Sequence, residues 1–161
     1  MISFDDINDW KKVIATGCAV CLDYGNKRTG IAISDASWTV ATPLKILETS
    51  KIYEGLSKIL QQYKIGLIVI GIPVALNGGV HGKQHKIVNE FAQQLQKFLS
   101  ENAFNLPIMQ YDERLSTVAA SRALSNAEFS IKKKQKRIDK VAATFVLQGV
   151  LDRIGYKFYG N

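Results

Sequence analysis

The chain changes rhythm once. Between Gly17 and Leu47 apolar runs follow one another across short turns, whereas from Ile52 onward helical and extended patterns alternate. Tight turns between neighbouring runs build antiparallel strands, while a helix between two strands carries the chain back for a parallel one. The expected order is three strands, then helix, strand, helix, strand and helix. That order predicts an α/β fold on a five-stranded mixed sheet flanked by helices.

The elements can be placed individually. Gly17 introduces a run ending in Leu22-Asp23, and Tyr24 to Gly30 is a turn before a second run from Ile31 to Asp35. A third strand across Val40 to Leu47 contains Pro43, which marks an edge or a bulge. Helical spacing covers Ile52 to Tyr63 and Ile87 to Leu99, with the strand Leu67 to Ile70 and a glycine-rich loop from Gly71 to Gly82 between them. That strand is apolar on both faces and is therefore central. Pro107 to Tyr111 is the last strand, followed by a helix from Ser116 through Leu124, a basic linker and a final helix from about Ile138 to Ile154. Before all of this, Ile7, Trp10, Val13 and Ile14 lie at helical spacing, with Ser3 as a candidate N-cap. The 161 residues suit one main domain, assigned to 17–161, with 1–16 as an N-terminal extension forming a short helix.

Acidic residues fall where strands end. Asp23 closes a strand apolar on both faces, and a carboxylate there is costly unless paired, hydrogen-bonded or bound to a cation. An aspartate in that position also serves ordinary turns by bonding its own backbone. Asp112 and Glu113 close the last strand, which is expected to run parallel to the first and to end at the same edge. Only one of the two can share a face with Asp23, because neighbours on a strand point to opposite sides. Asp139 opens the final helix, with Ala142 and Ala143 one turn on and Gly149 beyond, small residues that permit close approach to the sheet. Helix-terminal charge alone would explain the position of Asp139 but not the gathering of acids. Carboxylates converging at one edge repel unless a divalent cation compensates them, and Mg²⁺ (or Mn²⁺) suits oxygen ligands shared with phosphate. Metal-assisted phosphodiester hydrolysis is the implied chemistry.

The segments Leu22-Asp23-Tyr-Gly25-Asn-Lys27-Arg28-Thr-Gly30, Ile70-Gly71-Ile-Pro73, Asp112-Glu113-Arg114-Leu-Ser116-Thr117 and Ile138-Asp139-Lys-Val-Ala142-Ala143, in this order, closely resemble the YqgF/RuvX family. The resemblance runs from about Gly17 to Arg153. It implies a ribonuclease H-like fold and a nuclease, regarded either as maturing the 5′ end of pre-16S ribosomal RNA or as a Holliday junction resolvase-like enzyme. Carried over, the family's acidic site falls on Asp23, the Asp112-Glu113 pair and Asp139, with Asp23, Glu113 and Asp139 as metal ligands. The loop Asn77-Gly-Gly-Val-His81-Gly82 departs from the Asp-Gly-Ser/Thr-Glu-Gly-like stretch common in such families.

Charge and the remaining motifs narrow the partner. Lys and Arg number 21 against 14 Asp and Glu, a net charge of +7 that favours a polyanion. The basic residues adjoin the acids in sequence: Lys27 and Arg28 after Asp23, Arg114 after Glu113, and Lys132, Lys133, Lys134, Lys136 and Arg137 before Asp139. With Lys83 they are the candidate substrate contacts. The stretch 77–84 lacks the first glycine and the final Ser or Thr of a P-loop, and His81 and His85 lack a third zinc ligand. Cys18 and Cys21 sit three apart on a strand, facing opposite sides, which suits packing rather than zinc or redox pairing. Structured RNA is the expected partner and branched DNA the alternative, bound by a monomer or homodimer. A non-catalytic nucleic-acid-binding module would gain little from the acids, and an actin-like ATPase needs two such domains. No run reaches the ~18 apolar residues of a membrane span and the chain opens with Asp5-Asp6 rather than basic residues, so a cytoplasmic location without membrane contact is expected.

Overall fold

A computed structural model of the protein describes Phe4 and residues 10–72, 81–112 and 142–155. Helix α1 (Trp10–Thr16) leads into β1 (Cys18–Tyr24), β2 (Arg28–Ser34) and β3 (Ala41–Glu48). A 3-10 turn (Thr49–Lys51), α2 (Ile52–Gln62), β4 (Ile65–Ile72), α3 (His81–Glu101) and β5 (Ile108–Asp112) follow. Residues 142–155 form a further helix, α4. The strand order is β3-β2-β1-β4-β5. The β1–β2 and β2–β3 pairs are antiparallel, and the β1–β4 and β4–β5 pairs are parallel. This is the mixed sheet that the change of rhythm predicts, in the ribonuclease H-like arrangement that the family resemblance implies.

Alternation along the strands sorts the core into two layers. Val20, Leu22, Ile68, Ile70 and Ile108 pack against Leu56 and Ile59 of α2 and Val88, Phe91, Leu95 and Leu99 of α3. On the other face Ala19, Cys21, Leu67, Val69, Met109 and Tyr111 meet Ala143, Val146, Leu147 and Val150 of α4. The two cysteines follow the same parity. Cys21 belongs to the α4 face, while Cys18 packs against the α2–α3 side.

Several boundaries differ from those expected. Helix α3 begins at His81 rather than near Ile87, because its first turns carry polar residues with no apolar spacing to announce them. The expected loop to Gly82 is correspondingly shorter. Pro43 stands on the edge strand and beside a bulge: Ile31 pairs with Lys45 and Ala32 with Pro43, so Leu44 is the extra residue. The helix expected over Ser3 to Ile14 is described over Trp10–Thr16, two residues past its expected end, while Ser3 and residues 5–9 lie outside the described residues.

The far end of the sheet from Asp23 is closed by aromatic side chains. Trp10 is buried, 4.8 Å from Phe4 and 6.2 Å from Trp38 between ring centroids. The guanidinium of Arg153 lies 4.1 Å from the Phe4 centroid. Trp38 has a left-handed backbone, φ 57°, and its indole donates to the carbonyl of Gly17 at 2.9 Å. Asp35 holds that loop, its carboxylate accepting from the backbone N–H of Thr39 and Val40 at 2.7 and 2.8 Å and from the Ser37 hydroxyl. Slight burial pushes the Asp35 carboxyl up, but these hydrogen bonds outweigh it and hold it below the ordinary 3.8.

Two outcomes follow. Trp10→Ala should cost about 3–5 kcal/mol in chemical denaturation, since it empties a packed aromatic site. Because the folded carboxyl of Asp35 is depressed, its contribution is present above its ordinary 3.8 and disappears as pH falls through the folded value. Asp35→Asn should therefore flatten the acid limb of the stability curve, measured by thermal melts at graded pH.

Candidate active site

Asp23 is placed by the register of β1. Leu22 pairs with Ile70 on the parallel side, and Asp23 pairs with Gly30 on the antiparallel side, one residue past the last β1–β4 pair. It is half-buried, at the end of a strand whose preceding residues are fully enclosed. Its parity is that of Ala19 and Cys21, so it stands on the α4 face. Strands β4 and β5 finish beside it, with Ile72 paired to Asp112. Three parallel strand ends thus form one edge, as expected from the topology. Asp112 is the last residue of β5, in which Ile108 faces the α2–α3 layer and Met109 and Tyr111 face α4.

Helix α4 runs away from this edge toward the opposite end of the sheet. Gln148 accepts from the backbone N–H of Ala41 at 2.8 Å and donates to the carbonyl of Thr39 at 3.0 Å. Ala41 pairs with Ser34, whose hydroxyl accepts from the N–H of Ala19 at 2.9 Å, so Gln148 lies beside the beginning of β1. Ile154 and Arg153, farther along, meet the aromatic group around Phe4 and Trp10. The N-terminal end of α4, with Ala143 fully buried, therefore points toward the edge that carries Asp23. The Tyr111 hydroxyl donates to the carbonyl of Gly149 at 3.3 Å and ties α4 to β5.

Beyond Asp23 the β1–β2 turn carries Lys27, exposed, and Arg28, half-buried. A Cβ at Gly25 would stand 2.5 Å from the carbonyl oxygen of Arg28, so only glycine permits this tight turn. Thr49 clamps it: its hydroxyl donates to the carbonyl of Gly25 at 2.6 Å and lies 3.0 Å from the Thr29 hydroxyl, while its N–H donates to the carbonyl of Lys27 at 3.1 Å. Lys27 and Arg28 share a groove of about 460 Å³ with Asn26, Glu48 and Ser50. Nothing in the sequence singled out Thr49, whose role depends on a strand distant in sequence. Tyr24, on the other face from Asp23, stacks on Phe91 of α3 at 4.0 Å and 18°.

The described residues thus bring together Asp23, the end of β5, the N-terminal end of α4 and the basic turn. Lys83 falls in the first turn of α3. Glu113, Arg114, the helix expected from Ser116 to Leu124, Lys132, Lys133, Lys134, Lys136, Arg137 and Asp139 lie outside the described residues.

This geometry can be set beside known proteins. The profile of RuvX, described as Holliday junction resolvase, matches residues 17–153. The chain belongs to the RuvX family. A relative from Clostridium kluyveri, named "Putative pre-16S rRNA nuclease", is 42% identical over 136 residues, 83% of this chain and 95% of its own length. One of the same name from Desulfitobacterium hafniense is 42% identical over 137 residues, covering 84% of this chain and 92% of its own. Among solved structures, Thermus thermophilus RuvC in complex with Holliday junction substrate aligns at a TM-score of 0.53 and 11% identity, over 86% of this chain and 96% of that one. At that identity the likeness speaks for a shared fold. The RuvX match begins at Gly17, so α1 and Phe4 precede the shared region.

The Thr49 clamp is open to a direct test. Thr49→Val removes the hydroxyl from the part-buried Gly25 and Thr29 partners and should cost about 1–3 kcal/mol in urea unfolding.

Proposed function

We propose that this RuvX-family chain is a divalent-metal-dependent endonuclease that matures the 5′ end of pre-16S ribosomal RNA. The observation that carries the reading is the position of Asp23, a carboxylate on the α4 face at an edge where three parallel strands end. The nuclease name borne by relatives 42% identical over most of the chain supports the substrate.

Glu113 is the preferred partner of Asp23, because strand alternation continued one residue past the end of β5 would give it the parity of Met109 and Tyr111 on the α4 face. Asp139 is the third ligand. It precedes the buried Ala143 by four residues, the spacing that shares a helix face. A helix continued back from residue 148 to 139 would rise about 13.5 Å, comparable with the about 13 Å that β1 covers from Ala19 to Asp23. Three carboxylates offer the hard oxygen donors that Mg²⁺ or Mn²⁺ requires. When bound, such a cation supplies activation of water for in-line attack and stabilisation of the departing oxygen. The chain's own residues do the rest. Asp23, Glu113 and Asp139 orient the cleaved phosphate, and Lys27 and Arg28 hold the backbone beside it. Lys83, Arg114 and the cluster Lys132, Lys133, Lys134, Lys136 and Arg137 extend the contact, a distribution matched to a polyanion. Among the described residues no helix is long and apolar enough to cross a membrane. The proposed place of action is the cytoplasm, where ribosomal precursors are processed. Residues 1–16 act as an extension to the nuclease domain.

The test incubates the full chain with pre-16S rRNA fragments and with four-way DNA junctions, with Mg²⁺ or with chelator. Cleavage of the RNA at the mature 5′ end is expected, abolished by chelator and restored by Mg²⁺. Asp23→Asn, Glu113→Gln and Asp139→Asn should each lose at least about 100-fold in rate, since even partners behind the ligands of metal sites contribute 10- to 100-fold. Asp112→Asn should lose far less. Cleavage of junctions but not RNA would transfer the reading to branched DNA, and binding without cleavage would sink the enzyme.

A further inference from the structure

A polar chain crosses from β5 to α3 where the surrounding core is apolar. Gln110 is half-buried and shares the parity of Ile108, fully enclosed in the α2–α3 layer. An amide there is costly unless hydrogen-bonded. Its Nε2 donates to Oδ1 of Asn89 on α3 at 2.8 Å. With its oxygen so engaged, Asn89 has only its NH₂ to offer His85, one turn earlier, whose Nδ1 lies 3.0 Å away. That contact makes Nδ1 the acceptor, so the neutral ring carries its proton on Nε2. His85 itself is exposed.

The level of His85 gives this chain a use. Gln110 pairs with Ile70, which pairs with Leu22, one residue before Asp23. From Asn89 back to His85 the helix advances about 6 Å toward its N-terminal end, which is also where β4 ends and the acidic edge lies. A nucleic-acid strand laid across the strand ends would meet Asp23 on one side of the sheet and His85 on the other.

We propose that His85 is a substrate-contacting residue that donates an Nε2–H hydrogen bond to a backbone phosphate flanking the cleaved one, and that Asn89 and Gln110 are positioning residues that fix its ring. The proposal rests on the nuclease reading. It differs from a loose surface histidine in requiring a defined proton position and in affecting binding rather than the chemical step.

Two measurements test it on the full chain. In ¹⁵N spectra, with His81→Gln to assign the rings, the neutral His85 should carry its proton on Nε2, and Asn89→Ala should shift its Nδ1 resonance. With a pre-16S rRNA fragment spanning the mature 5′ end, His85→Ala should raise KM about 5- to 10-fold with kcat little changed, the loss of one hydrogen bond to a charged group. Asn89→Ala should follow in part. If Asn89→Ala does not fold, the exposed His85→Ala variant still decides the outcome. A proton on Nδ1, or an unchanged KM in His85→Ala while Asp23→Asn still abolishes cleavage, overturns this inference and leaves the nuclease reading standing. Failure of the wild type to bind or cut the RNA overturns both.

Discussion

The structure depends on β1 being enclosed on every side. It bonds antiparallel to β2 and parallel to β4, and Ala19 through Leu22 have no exposed surface. A strand so held cannot slip, because a shift of one residue would exchange its two apolar faces and carry Asp23 with them. The antiparallel hairpin and the parallel helix–strand units therefore share a single register. That register decides on which face the carboxylate stands.

The two ends of this strand do different work. At its beginning, Gly17 accepts from the Trp38 indole, and Phe4, Trp10 and the C-terminal part of α4 close the layer. At its end, burial stops within one residue, and the turn carrying Lys27 and Arg28 is braced by Thr49. Packing that anchors α4 far from the edge also aims its other end at Asp23. Stability and a candidate site are thus separated along one strand, which lets the edge remain polar without weakening the core.

Much of this was legible in the sequence. The change of rhythm gave the mixed sheet because turn length and helical crossovers dictate strand direction locally. Leu67 to Ile70, apolar on both faces, read correctly as central, and Cys18 and Cys21 read correctly as packing on opposite sides. The start of α3 was not legible, since its first turns carry no apolar period. Neither was Thr49, nor the link from Gln110 to Asn89 that positions His85, because the bonds from Thr49 to Thr29 and from Gln110 to Asn89 join segments far apart in sequence.

By itself the sequence determined which residues alternate, where strands stop and which acids and bases adjoin those stops, for these follow from local chain geometry. It left open which of Asp112 and Glu113 shares the face of Asp23. Only the tertiary structure decided that Asp23 stands on the α4 face, and that Ile108 of β5 faces the α2–α3 layer while Met109 and Tyr111 face α4. The physical reason is that a strand's own alternation is relative. Pairing through β4, and the packing of α4 on one side and α2 and α3 on the other, makes it absolute.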